Sequence, residues 1–226
     1  MVCWVQKTAP MFQTVYFKIS FILVVSAGVV MSCGKHEDRL PYYNAADFTP
    51  LFLSAEEAHA QINHTISDFS FTDQNAATIS QKSIEGKIHV ANFFFTTCGS
   101  ICPRMTANIQ SVQSVFDKDT NVVFLSYSVT PWIDSVAQLR NYAKENHISS
   151  ENWHLLTGDK AQIYTLARQS YFAEEEIGFT KDSSDFLHTE HILLVDGQKR
   201  IRGIYNGTLL TDIENLKQDI NSLKKE

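Results

Sequence analysis

The stretch from Ile88 to Phe116 restricts most strongly what this chain can become. Ile88-His89-Val90-Ala91-Asn92-Phe93-Phe94-Phe95 is a strongly apolar run, as a central parallel strand covered on both faces requires. Thr96-Thr97-Cys98-Gly99-Ser100-Ile101-Cys102-Pro103 follows, and then Met105, Ile109, Val112 and Phe116 recur at helical spacing. Pro103 suits the first turn of a helix, where its missing N–H breaks no hydrogen bond. The chain is therefore expected to pass from a buried strand directly into a helix. Two thiols mark the junction, Cys102 near the helix N-terminus and Cys98 in the loop before it.

The segments around this unit repeat its logic. Asp68-Phe69-Ser70-Phe71-Thr72 alternates as a short half-buried strand, and Gly86-Lys87 is a turn. Val122 to Tyr127 is a second buried strand. A helix is expected from Asp134 to about Asn146, with Val136, Leu139 and Ala143 inward and Asp134 or Ser135 as cap. Trp153 to Thr157 is a strand, and Asp159 caps a helix carrying Ile163, Leu166 and Ala167. His191 to Val195 and Arg200 to Tyr205 flank Asp196-Gly197-Gln198-Lys199, a hairpin signal. Thr211 and Glu214 suggest a capping box for a last helix through Ile213, Leu216, Ile220 and Leu223. Alternating strand–helix units followed by an antiparallel hairpin describe an α/β fold of the thioredoxin-like plan. It has a central mixed sheet flanked by helices, with an extra N-terminal strand and an inserted strand and helix.

The N-terminus reads as an address. Lys7 and Lys18 are the only charged side chains among the first 32 residues, so all 25 acidic residues lie beyond them. Lys18 precedes an apolar run, Ile19 to Met31, shorter than the roughly 20 residues a membrane-crossing helix needs. A positive flank, a short apolar core and small residues at its end describe an export signal. The run closes on Val30-Met31-Ser32-Cys33, similar to a bacterial lipobox except for Met31 at the middle position. Cleavage before Cys33 would leave that thiol to carry lipid; an uncleaved anchor, or a cut elsewhere, is the alternative. Either places the rest outside the cytoplasm, as an envelope protein held at the membrane and facing the periplasm. The resulting division is a lipoprotein signal over 1–32, a polar tether with Pro41 and Pro50 over 33–61, and a folded domain over 62–226. With a formal charge of -6 and no basic stripe, nucleic acid is not an expected partner.

Cysteine arithmetic follows. Cys3 leaves with the signal and Cys33 carries lipid, so Cys98 and Cys102 are the remaining thiols. In an oxidising compartment such a pair is a structural disulfide, a redox couple or a set of metal ligands. Three intervening residues give a wider bite than Cys-x-x-Cys, compatible with a disulfide and with two sulfurs on one ion. Soft thiolates favour Cu(I), and one added imidazole makes a site that also holds Cu(II). Zinc would want a fourth protein ligand, and no second cysteine pair is present.

The segment Phe94 to Pro103 resembles the motif of the SCO/SenC family of copper-binding thioredoxin-like proteins. Gly86-Lys87, Leu156-Thr157-Gly158, and His188-Thr189 followed by Leu194-Val195-Asp196 resemble further landmarks of that family, over Ile62 to Tyr205. The resemblance implies that Cys98, Cys102 and His188 bind copper. It further implies delivery of copper to, or reduction of cysteines in, the dinuclear CuA site of cytochrome c oxidase subunit II. His191 competes for the third position, but it shares a strand face with Leu193 and Val195, and the family-like spacing selects His188. His89, His147 and His154 read as ordinary strand or surface residues, and His36, His59 and His64 lie in or near the tether. The family often carries an acid where Thr130 stands, in Thr130-Pro131-Trp132-Ile133-Asp134-Ser135; Asp134 reads as a helix cap, and Trp132 as a partner-contact or loop-packing aromatic. Two functions are therefore expected to compete. One is a copper metallochaperone without turnover; the other is an enzyme, a thiol-disulfide oxidoreductase using Cys98 and Cys102. No peroxidase-type pocket can be assembled from the sequence.

Overall fold

The computed structural model describes residues 39–148, 151–173 and 189–226. Among these, nine strands form one sheet: β1 (Tyr42–Tyr43), β2 (Pro50–Leu51), β3 (Ser70–Asp73), β4 (Thr78–Ser80), β5 (Ile88–Phe94), β6 (Val122–Ser128), β7 (Trp153–Thr157), β8 (His191–Val195) and β9 (Ile201–Asn206). Their order is β2-β1-β9-β8-β5-β6-β7-β3-β4. β5, β6 and β7 are parallel at the centre, and the flanking pairs are antiparallel. Five α-helices accompany them: α1 (Ala55–Gln61), α2 (Cys102–Gln113), α3 (Val136–Glu145), α4 (Lys160–Thr165) and α5 (Leu210–Leu223). A wider π turn, Leu166–Ser170, continues α4.

Strand alternation divides the core into two apolar layers. Ile88, Val90 and Phe94 of β5 join Met105, Ile109 and Val112 of α2, Leu139 of α3 and the inner stripe of α5. Ala91 and Phe93 face the other way, toward Phe69, Phe71, Tyr127, Ile163, Leu166 and Tyr171. All seven residues of β5 are buried, as expected of the central strand. Two glycines allow turns at its entry. Gly86 adopts φ +72 ahead of β5, and a Cβ on Gly197 in the β8–β9 turn would lie 2.7 Å from the Gly86 carbonyl oxygen.

Register fixes which end of the sheet carries chemistry. Asn92 lies opposite Ile192 and His89 opposite Val195, so β8 starts beside the end of β5. His191 lies opposite Asn206, so β9 finishes there too. Cys98, following β5, stands at this same end, and α2 departs from it.

The structure differs from the sequence expectations at several termini. The tether was expected to be irregular to about Gln61, yet Arg39 onward belongs to the same compact unit as the sheet. β1 pairs with β9, and Ser54 and Glu57 close a reciprocal capping box on α1. The final helix lacks the Thr211–Glu214 box. It starts at Leu210, with Asp212 in its first turn accepting from the Asn206 N–H at 2.8 Å. Ser135, whose hydroxyl accepts from the Gln138 N–H, caps α3; Asp134 does not. β4 was not anticipated, and it pairs with β3 across a tight turn braced by Asp73.

Candidate metal centre

Strand β5 delivers the chain to Phe95, and three residues later it reaches the first thiol. The Cys98 N–H donates to the Phe95 carbonyl at 3.3 Å, so the loop folds back on the strand end. Cys102 is the first residue of α2, Pro103 follows in the first turn, and the Met105 N–H donates to the Ile101 carbonyl at 3.0 Å. The junction deduced from sequence is therefore present: one thiol in the loop, the other at the helix start. Both are free thiols; Cys98 is half-buried and Cys102 buried against the α2-side core.

The two thiols are electrostatically unequal. Partial burial opposes ionisation of Cys98, but the Cys102 side chain and the N–H groups of Cys102, Ser100 and Ile101 aim at its sulfur and together hold its pKa below the ordinary thiol value. Burial pushes Cys102 up to about 12, and its hydrogen bond to Cys98 works in the same direction. The helix N-terminus thus favours thiolate at Cys98, the less buried sulfur, although a thiol at the first helical position ordinarily gains as well. Cys102 does not, because its own desolvation is larger.

Three further side chains frame the pair. Tyr142 of α3 packs on Phe94 with ring centroids 5.4 Å apart, and its hydroxyl lies 2.8 Å from Thr106 Oγ1 of α2. Burial raises the Tyr142 pKa, the Thr106 contact moderates the rise, and negative charge at Cys102, Cys98 and Asp134 adds to it. That places Tyr142 within electrostatic reach of both thiols. Asp134 is completely buried and accepts from the Thr96 hydroxyl at 2.5 Å. Trp132, next to it in the loop, is 58% exposed with Lys160 Nζ 4.9 Å from its ring centre. The sequence flagged Asp134 and Trp132 without their partners; Tyr142 was not among the inward residues expected of its helix, and its burial comes from the structure.

His188 and Cys33 lie outside the described residues, as does His36. His191 begins β8 on the face of Leu193 and Val195, and its ring meets Phe48 edge-on with centroids 6.1 Å apart. The cysteines pack against the opposite face, so His191 and the dithiol are separated by the sheet. His89 is buried 3.0 Å from the Tyr171 hydroxyl, His64 stacks on Phe172, and His154 pairs with Asp73. Among the described residues no cluster of three or more His, Cys, Asp or Glu could hold a metal ion. These residues contribute a pair of soft sulfur donors. Nor is any described helix long and apolar enough to cross a membrane.

A mixed sheet flanked by helices, with a dithiol where a central strand gives way to a helix, defines a thioredoxin-like protein. The SCO1/SenC family pattern matches residues 57–225, and the chain belongs to that family. A SCO1/SenC family lipoprotein of Bacillus anthracis is 27% identical, with a TM-score of 0.63 over 72% of this chain and 96% of that one. BsSco, described with a disulfide switch and as a member of the Sco family of cytochrome c oxidase assembly proteins, is 28% identical, with a TM-score of 0.61 over 73% and 95%. ScoI of Bradyrhizobium japonicum, solved with copper bound, is 28% identical, with a TM-score of 0.56 over 70% and 99%.

Proposed function

We propose that this protein holds a copper ion between Cys98, Cys102 and His188 and hands it to a copper-receiving protein, the CuA site of cytochrome c oxidase subunit II being the client the family suggests. The observation that carries this reading is the dithiol itself, free, adjacent and partly exposed at a helix N-terminus, a soft donor pair suited to Cu(I). The opposite-face position of His191 supports His188 as the imidazole. β8 begins at the cysteine end, and His188 precedes it by three residues, a tether of at most about 10 Å. Copper bound in a family structure supports the cargo. A lipoprotein among the relatives supports acylation at Cys33 and a place at the periplasmic face of the bacterial envelope.

The unequal thiols favour a second reading, thiol-disulfide exchange. The Cys98 thiolate would attack a client disulfide, forming a mixed disulfide and releasing one client thiolate. Cys102 would then attack Cys98, forming the intramolecular disulfide and freeing the second client thiol. His188→Ala separates the two functions. The variant is expected to lose Cu(I) affinity by at least about tenfold in a chelator competition, while its dithiol still reduces glutathione disulfide. Parental copper affinity in that variant would overturn the three-ligand site.

A further inference from the structure

Asp134 is 0% exposed, although nothing about a loop between a strand and a helix requires a buried carboxylate. Its surroundings explain how it is tolerated. The Thr96 hydroxyl donates to one oxygen at 2.5 Å. The other oxygen accepts from the Thr96 N–H at 3.3 Å, the Ser128 hydroxyl at 2.5 Å and the Thr130 hydroxyl at 2.9 Å. All four partners donate and none is a cation, an arrangement that satisfies a carboxylate by dipoles alone. The donors come from two separate loops. Thr96 belongs to the dithiol loop, two residues ahead of Cys98, whereas Ser128 ends β6 and Thr130 opens the loop toward α3. Gln138 of α3 donates to the Thr96 hydroxyl as well, at 3.2 Å.

We propose that Asp134 is a positioning residue for the dithiol: tied to Thr96 on one side and to Ser128 and Thr130 on the other, it sets where Cys98 stands relative to Cys102. Thr130 is part of the device. A hydroxyl there donates to Asp134, whereas a carboxylate at that position would set a second negative charge against it. Two thiols held at a fixed separation close a disulfide, or grip one ion, with less loss of freedom than two on a loose loop. The copper arm of this inference rests on the copper reading above; the dithiol arm does not.

The test compares the full chain with Asp134→Asn and Thr96→Val, and uses Asn152→Ala as a stability control. Asn152 holds the Phe116 and Val122 carbonyls and accepts from Gln113, away from the dithiol end. Two quantities are read: Cu(I) affinity by chelator competition, and the equilibrium in which the protein dithiol and one glutathione disulfide give the protein disulfide and two glutathiones. Asp134→Asn is expected to weaken Cu(I) binding by about tenfold and to shift the exchange toward the dithiol by a similar factor, with Thr96→Val moving both in the same direction. Asn152→Ala should lower the unfolding midpoint and leave both unchanged. If Asp134→Asn does not fold, Thr96→Val alone carries the test. Parental values in the variants, or an equal shift in Asn152→Ala, would overturn the proposal. A parent chain that ignores Cu(I) but whose dithiol equilibrium still moves with Asp134→Asn would refute the copper reading and uphold the positioning role.

Discussion

Arg202 and Asp134 are both ionisable, both almost fully buried, and set at opposite ends of the same sheet. The protein satisfies them in different ways. Arg202, near the start of β9, meets full counter-charge: its two terminal nitrogens donate to the Glu226 carboxylate at 2.6 and 2.9 Å, and Asp196 lies 3.5 Å away. The same guanidinium donates to the Leu40 and Pro41 carbonyls and lies 3.9 Å from the centre of the Tyr42 ring. It clasps the N-terminal segment to Glu226 across the sheet. Among the described residues, Asp134, at the dithiol end, meets only hydroxyls and an amide. The clasp fastens distant parts of the chain, while the hydroxyl cage aligns one loop. Fold retention and chemistry are thereby assigned to opposite ends, and the two should fail separately.

The largest effect is expected at the clasp. Arg202→Ala leaves the Leu40 and Pro41 carbonyls without their donor and Glu226 without its counter-charge, while Asp196 keeps Arg200, and should cost roughly 3–5 kcal/mol in urea unfolding. Dithiol exchange in the surviving folded fraction should be unchanged; a loss of exchange with little loss of stability would break the division of labour. An effect that is smaller at pH 5 and above is expected at His89, buried beside Tyr171 with its pKa held down to about 3 by desolvation. The unfolded chain takes up that proton near pH 6.5 and the folded chain does not, so the group's contribution is complete above pH 6.5. It is lost as pH falls from there toward 3, by up to about 1.4 kcal/mol per pH unit. His89→Gln should flatten that slope in acid unfolding curves by about one proton; an unchanged slope would reassign the acid sensitivity. The smallest effect belongs to Trp132, whose exposed ring rests on Lys160. Trp132→Ala should change stability by about 0.5 kcal/mol or less. A larger loss would mean that the dithiol end also carries the fold.

Much of this was legible in the sequence, because strand runs and helical stripes report burial directly. Trp153 to Thr157 and His191 to Val195 were read to the residue, and Ile213, Leu216, Ile220 and Leu223 are the buried face of α5 as expected. The dithiol junction was equally legible, since Pro103 fixes the helix start. What escaped depends on partners far away in the chain. Residues 39–61 are polar enough to resemble a tether, and their order comes from Arg202, some 160 positions later, and from pairing with β9. Ser54-x-x-Glu57 and Thr211-x-x-Glu214 offer the same capping signature. Only the first forms, because the Asn206 N–H draws Asp212 into the turn at the second. Asp134 looked like a cap for the same local reason. Its partner across the loops, Thr96, is 38 residues away with a helix and a strand between them, a distance no short-range pattern spans.

The central claim, that Cys98 and Cys102 form a copper site, is tested most directly by the absorption spectrum of the full chain titrated with Cu(II). A thiolate-to-copper charge-transfer band should rise and saturate at a single copper per chain, and should be absent from the Cys98→Ser/Cys102→Ser double variant. A parent chain without that band, or a double variant with the same band and stoichiometry, would contradict the account.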